Sequence, residues 1–255
     1  MAELPKLDPF VRALRLRREA VASFDRYPYS IPAVRTLERL ELHPHLTFLI
    51  GENGAGKSTL LEAIAVKAGF NPEGGGKNFR FSTKSSHSEL SSALVLERGV
   101  RRPTDGFFLR AESFYTLANE IERLDADDPG LLWAYGGKSL HEQSHGEAFL
   151  NLLKHRLTGN GLYLFDEPEA ALSPARQLSV LVLLHDLLLN ASQIVIATHS
   201  PILMAYPHAK IVEVSVSGLR EVAYTETDHF RITRDFLLRH ERMLGHLLAD
   251  DEPTP

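Results

Sequence analysis

The chain has 255 residues, 44% hydrophobic and 24% charged, with a net charge of −5 and a pI near 6.2. This is ordinary globular composition, enough for one large α/β domain or two small ones. The absence of cysteine excludes a disulfide framework and a thiolate metal site, and the acidic balance is unlike that of a dedicated nucleic-acid binder.

Along the chain, "MAELPKLDPFVRALRLRREA" has no apolar leader segment, and its acidic residues Glu3, Asp8 and Glu19 weaken a transit-peptide reading. A cytoplasmic location is expected. Any nucleic-acid contact would use a local patch such as Arg12, Arg15, Arg17 and Arg18. "LTFLI" (46–50) reads as a buried strand ending at a glycine cluster. A helix follows, with Leu60, Leu61, Ile64 and Ala68 at helical spacing. "NPEGGGKNF" (71–79) is a loop. "GFFLRAESFY" (106–115) is a strand running into a turn, "TLANEIERL" (116–124) is helical and "DADDPG" (125–130) is an acidic turn. "AFLNLLKHRL" (148–157) is an amphipathic helix, and "GLYLFD" (161–166) is a second buried strand. Ser173 and Pro174 open a helix to 189 as N-cap and first turn. Its apolar stretch, "LSVLVLLHDLLLN", is too short for a membrane span and carries His185 and Asp186; no intrinsic membrane segment is expected. "QIVIATHS" (193–200) is a third buried strand. Residues 210–225 form a hairpin turning at Ser217-Gly218, and the end is helical to about residue 248 before a frayed tail. Continuous apolar strands alternating with helices predict a mostly parallel sheet covered on both faces.

"GENGAGKST" (51–59) fits G-x-x-x-x-G-K-[ST], between a strand and a helix as that motif requires. Gly51, Gly54 and Gly56 free the backbone to wrap a triphosphate, with Glu52, Asn53, Ala55 and Thr59 in the same cradle. The helix N-terminus adds its positive end. Lys57 reaches the β/γ oxygens, and the Ser58 hydroxyl suits Mg²⁺. Asp166, closing an apolar strand, can hold the Mg²⁺ shell, and Glu167 can polarise the attacking water. His199 ends the third strand on the carboxyl edge, within reach of the γ-phosphate.

"HEQSHGE" (141–147) has two readings. As H-E-x-x-H, with His141, Glu142 and His145, it is the signature of a zinc peptidase, which needs both histidines on one continuous helix. "YGGKS" just upstream and Gly146 just downstream disfavour that helix. As a helix start, Ser144 and Glu147 form an S-x-x-E capping box, and Gly146 leaves an anion-accepting N-terminus.

"GENGAGKST", "QSHGE", "LYLFDEPEAALSP" and "IATHSP", in this order, resemble an ATP-binding cassette (ABC-type) ATPase. The resemblance implies an α/β P-loop NTPase with a mostly parallel, helix-covered sheet and a small helical lobe. It would form a single domain over 1–255, with a core lobe at about 1–83 and 158–255 and a helical signature lobe at about 84–157. It implies that Ser144, Gly146 and Glu147 form the signature, contacting the γ-phosphate held by a second copy, so that two ATP molecules lie in a head-to-tail homodimer. Ala171-Leu172-Ser173 matches the loop that crosses the same interface. Glu167, His199 and Lys57 are then the catalytic residues, and Ser58 and Asp166 the Mg²⁺ ligands. The chain departs from the pattern at His145, which replaces a glycine, and at Gln143, which replaces leucine. The glutamine expected near "FFLRAES" (107–113) is missing; Arg110 or Glu112 would substitute, Glu112 toward Mg²⁺. Tyr27 and Tyr29 are candidate adenine-stacking aromatics. The motifs look most like stand-alone bacterial ATPases (AAA-labelled), kin to the SMC and RecF group, though the spacing from the glycine loop to the signature leaves no room for a coiled-coil arm, and no added nuclease domain is expected. Three functions stay open: an ATP-driven dimerisation switch acting on nucleic acid or a partner protein in DNA repair, maintenance or defence; the ATPase of a transporter; and the zinc peptidase.

Overall fold

The computed structural model describes residues 3–76, 89–127, 130, 137 and 145–249. Nine strands and eight α-helices are defined among them: β1 (Val11–Leu16), α1 (Pro32–Arg35), β2 (Arg39–Glu41), β3 (Leu46–Ile50), α2 (Lys57–Ala68), α3 (Leu90–Ala93), β4 (Leu94–Arg98), β5 (Asp105–Arg110), α4 (Phe114–Asp127), α5 (His145–Arg156), β6 (Gly161–Asp166), α6 (Pro174–Leu189), β7 (Gln193–Ala197), α7 (Pro201–Met204), β8 (Lys210–Ser215), β9 (Gly218–Glu221) and α8 (Asp228–Leu247).

The central sheet runs β5-β6-β7-β3-β8-β9. Its first five strands are parallel, and β9 returns antiparallel as a hairpin. Every residue of β3, β6 and β7 is buried, as continuous apolar strands covered on both faces should be. Alternation sends Tyr163 and Phe165 of β6 to one core, with Phe149, Leu152 and Leu188 of the helices. Leu162 and Leu164 face the other, with Leu60, Leu61 and Ile64 of α2. Phe114, Leu117 and Ile121 of α4 join the first core, so the described helices of the expected signature lobe share apolar packing with the sheet.

A second, three-stranded antiparallel sheet, β2-β1-β4, covers the α2 face. The sequence reading missed it. The alternation in "VRALRL" buries Val11, Ala13, Leu14 and Leu16 and turns Arg12 and Arg15 outward, and those arginines invited a reading as a basic patch. Arg12 pairs with Asp8 at 2.8 Å and Arg15 lies 3.8 Å from Glu97. Arg17 donates to the Ser92 carbonyl, and Arg18 donates to the Arg35 carbonyl while covering the Phe24 ring. The buried Gln193 side chain joins the two sheets. Its amide accepts from the Val11 N–H at 2.9 Å and donates to the Val11 and His43 carbonyls. The hairpin turns one residue earlier than expected: Ser215 pairs with Gly218, leaving Val216 and Ser217 at the tip. Among the described residues, no helix is long and apolar enough to cross a membrane.

Candidate functional site

Strand register sets up the site. Arg110 pairs with Asp166, Asp166 with Ala197, and Ala197 with Leu49. The carboxyl ends of β5, β6, β7 and β3 therefore lie in one row, and the chain leaves each strand there. This is where open parallel sheets bind ligands.

From β3 the chain enters the glycine loop. Gly51 has φ 137°, and a Cβ there would overlap the Val214 carbonyl of β8. Gly56, with φ 103°, occupies the N-cap of α2, where a Cβ would lie 2.7 Å from the Ile31 side chain. Both positions thus require glycine for conformation and for space. Glu52 and Asn53 are exposed at the loop tip, and the Ala55 N–H donates to the Glu52 carbonyl. Lys57 is only 3% exposed, and its ammonium donates to the Gly51 and Glu52 carbonyls at 2.9 Å each. Burial lowers its pKa, while the carboxylates of Glu167, Asp166 and Glu169 act in the opposite sense. The Thr59 hydroxyl meets the hydroxyl of Tyr27 at 3.2 Å. Tyr27 is largely exposed beside the loop, whereas Tyr29 is a core residue donating to the Glu89 carbonyl. Of the two aromatic candidates, only Tyr27 has its ring exposed beside the glycine loop.

Ser58 Oγ donates to Asp166 Oδ1 at 2.9 Å. Burial pushes the Asp166 carboxyl up to about 6, against the Ser58 hydrogen bond and the charge of Arg110. Two hard oxygen donors side by side, one of them a carboxylate whose ionisation is opposed by burial, fit a divalent cation, whose charge would reverse that cost. Glu167, at φ 51°, turns off the strand into a 3-10 turn over Pro168–Ala171 and leaves its carboxylate partly exposed. Its Oε1 lies 3.6 Å from His199 Nε2.

Arg110 closes β5, in the segment where the resemblance leads one to expect a glutamine. Its guanidinium is 2.7 Å from Glu62 and 3.7 Å from Asp166 Oδ2, and Nε is buried without a hydrogen-bond partner. Glu112 is 85% exposed and lies 3.6 Å from Arg110, so the arginine, not the glutamate, is beside Asp166. Sequence reasoning missed Glu169. Its buried Oε1 accepts the His199 backbone N–H at 2.6 Å and holds the end of β7 against the 3-10 turn. Its place two residues after Glu167 was the available signal.

The helix expected to begin at about 145 is α5, His145–Arg156. Gly146 is buried against the Ala171 carbonyl and the Arg176 side chain, and Glu147 lies 3.3 Å from Arg176. The start of α5 thus packs against Ala171 and Arg176 of its own chain. Ser144, Gln143, Glu142 and His141 lie outside the described residues, as does the side chain of His145, so the H-E-x-x-H reading falls there too.

Two family models match. One, described as "AAA domain", covers residues 19–102 and includes the glycine loop. The other, described as "AAA domain, putative AbiEii toxin, Type IV TA system", covers residues 147–205 and includes Asp166, Glu167 and His199. The chain is a P-loop ATPase. No curated protein matches this sequence. Among solved structures, the ATPase is similar to the SMC head domain from Thermotoga maritima, with 16% identity and a TM-score of 0.45 over 84% of this chain and 99% of that one. It is also similar to cbiO1 from Clostridium perfringens, part of the ABC transporter complex cbiONQ, with 16% identity and a TM-score of 0.47 over 95% of this chain and 99% of that one.

Proposed function

We propose that this ATPase binds ATP with Mg²⁺ between two head-to-tail copies and works as a nucleotide-driven switch in DNA repair, maintenance or defence. The supporting observation is the row formed by Lys57, the Ser58–Asp166 pair, Glu167 and His199 on the carboxyl edge of one sheet. The Lys57 ammonium, already poised over the loop, exchanges carbonyl oxygens for β- and γ-phosphate oxygens. Ser58 and Asp166 would hold Mg²⁺, which when bound neutralises phosphate charge. Glu167 takes the proton of the attacking water as its oxygen bonds to the γ-phosphorus, and ADP leaves on the opposite side. His199 Nε2 faces the same point and senses the γ-phosphate. Arg110 places a guanidinium beside Asp166 in the segment where the glutamine is missing.

Ser144 and Gly146 of a second copy complete each site, and loss of the γ-phosphate lets the copies part, which couples nucleotide state to shape. The description of the model matching residues 147–205 names a toxin of a type IV TA system, and this favours defence over transport.

The test is the solution mass of Glu167→Gln with and without ATP–Mg²⁺. ATP should convert monomer to dimer, and Ser144→Arg should abolish the shift. A chain that binds ATP yet stays monomeric in Glu167→Gln refutes the self-sufficient switch.

A further inference from the structure

His199 has a second neighbour that no motif contains. Its Nδ1 lies 3.3 Å from Nε2 of His229, with the rings 5.5 Å apart and inclined at 50°. His229 is the second residue of α8 and is firmly placed. The N-cap Thr227 is buried, accepts from the Phe230 N–H and donates to the Tyr224 carbonyl. Tyr224 packs on Phe230 and donates its hydroxyl to the Pro201 carbonyl, two residues beyond His199. The first turn of α8 is thereby fastened to the segment that carries His199.

A neutral histidine has one ring proton, and the hydrogen bond at one nitrogen decides what the other can do. Burial, and then the charge of Lys57, lower the His199 pKa; burial, and then His199 and Lys57, lower that of His229. Both rings are therefore neutral near pH 7. Nε2 of His199 is buried without a hydrogen-bond partner and faces the Glu167 carboxylate at 3.6 Å. A carboxylate and a phosphate oxygen can only accept, so the productive proton sits on Nε2. Nδ1 is then a lone pair that needs a donor.

We propose that His229 is a positioning residue for ATP hydrolysis, donating Nε2–H to Nδ1 of His199 and so holding the tautomer and ring orientation that present His199 Nε2–H to the γ-phosphate. The proposal rests on the reading of His199 given above. Outer partners of functional histidines act in this way by fixing tautomer and orientation.

Steady-state ATPase rates of the full chain separate the two claims, using wild type, His199→Ala, His229→Phe and His229→Gln. Phenylalanine keeps a ring and removes the donor; glutamine restores an N–H at a similar reach. His229→Phe should lower kcat by about 10–100-fold with KM within roughly threefold, and His229→Gln should recover most of the rate. A wild-type rate for His229→Phe beside an inactive His199→Ala overturns the His229 proposal alone. Equal losses in His229→Phe and His229→Gln also overturn it, because packing rather than donation would then be at work. A wild-type rate for His199→Ala overturns the underlying reading and the proposal together. Nitrogen NMR of wild-type protein gives a readout independent of turnover and of variant folding: Nδ1 of His199 should be unprotonated, and a protonated Nδ1 refutes the assignment.

Discussion

Asp166→Asn should stabilise the nucleotide-free protein at pH 7 and end magnesium-dependent hydrolysis. Asp166 is 6% exposed, and burial raises its carboxyl from 3.8 to about 6. That difference corresponds to about 3 kcal/mol of unfavourable free energy for the ionised group at pH 7. Asparagine carries no charge and keeps an oxygen to accept the Ser58 hydroxyl. Its amide N–H₂ would face the Arg110 guanidinium, which offsets part of the gain. A net stabilisation of about 1–3 kcal/mol remains, or roughly 2–4 °C in Tm for each kcal/mol. The folded pKa lies above the unfolded one, so the folded state holds the extra proton between pH 4 and 6. Wild-type stability therefore falls as pH rises through that window and is flat above it. The variant lacks this loss, so its advantage should be present at pH 7 and absent near pH 4. The assay is urea unfolding with a chelator at both pH values. Destabilisation at pH 7, or an advantage equal at pH 4 and 7, refutes burial as the dominant influence on Asp166.

Gly51→Ala places a methyl group on the Val214 carbonyl at φ 137°, so it should cost at least about 3 kcal/mol in chemical denaturation and weaken ATP binding. Ser173→Ala removes the side-chain oxygen that accepts from the Arg176 N–H and should cost about 1 kcal/mol, read as a lowered denaturation midpoint. Asp105→Ala removes the carboxylate that pairs with Arg156 at 2.8 Å and accepts a hydrogen bond from the buried Tyr163 hydroxyl. It should cost about 3–5 kcal/mol, far more than Arg15→Ala, whose exposed pair with Glu97 is worth under about 1 kcal/mol. Glu167→Gln should slow hydrolysis by at least about 100-fold while ATP binding, measured by fluorescent-nucleotide titration, stays near wild type.

Much of the site was legible because its signals are local. The strand "LTFLI", the glycines that tolerate positive φ and the helix opening at Lys57 lie within a short stretch of backbone, and so does the Asp166-Glu167 strand end. The Ser173 N-cap and the start of α5 were readable for the same reason. What the reading missed was the strand β1. In β1, outward arginines alternate with buried apolar residues, so a strand resembled a charged patch. At 107–113 the sequence left Arg110 and Glu112 both open, and only the register Arg110 to Asp166 shows that Arg110 lies beside the aspartate.

By itself the sequence determined a nucleotide cradle, a carboxylate pair at a strand end and a histidine after a third strand, because backbone torsion and apolar period are written in neighbouring residues. Only the tertiary structure decided that Gln193 ties two sheets together, that Glu169 anchors the His199 backbone and that His229 meets the His199 ring. Those contacts join residues that strand pairing and helix docking bring together from distant parts of the chain, and no local pattern encodes that pairing.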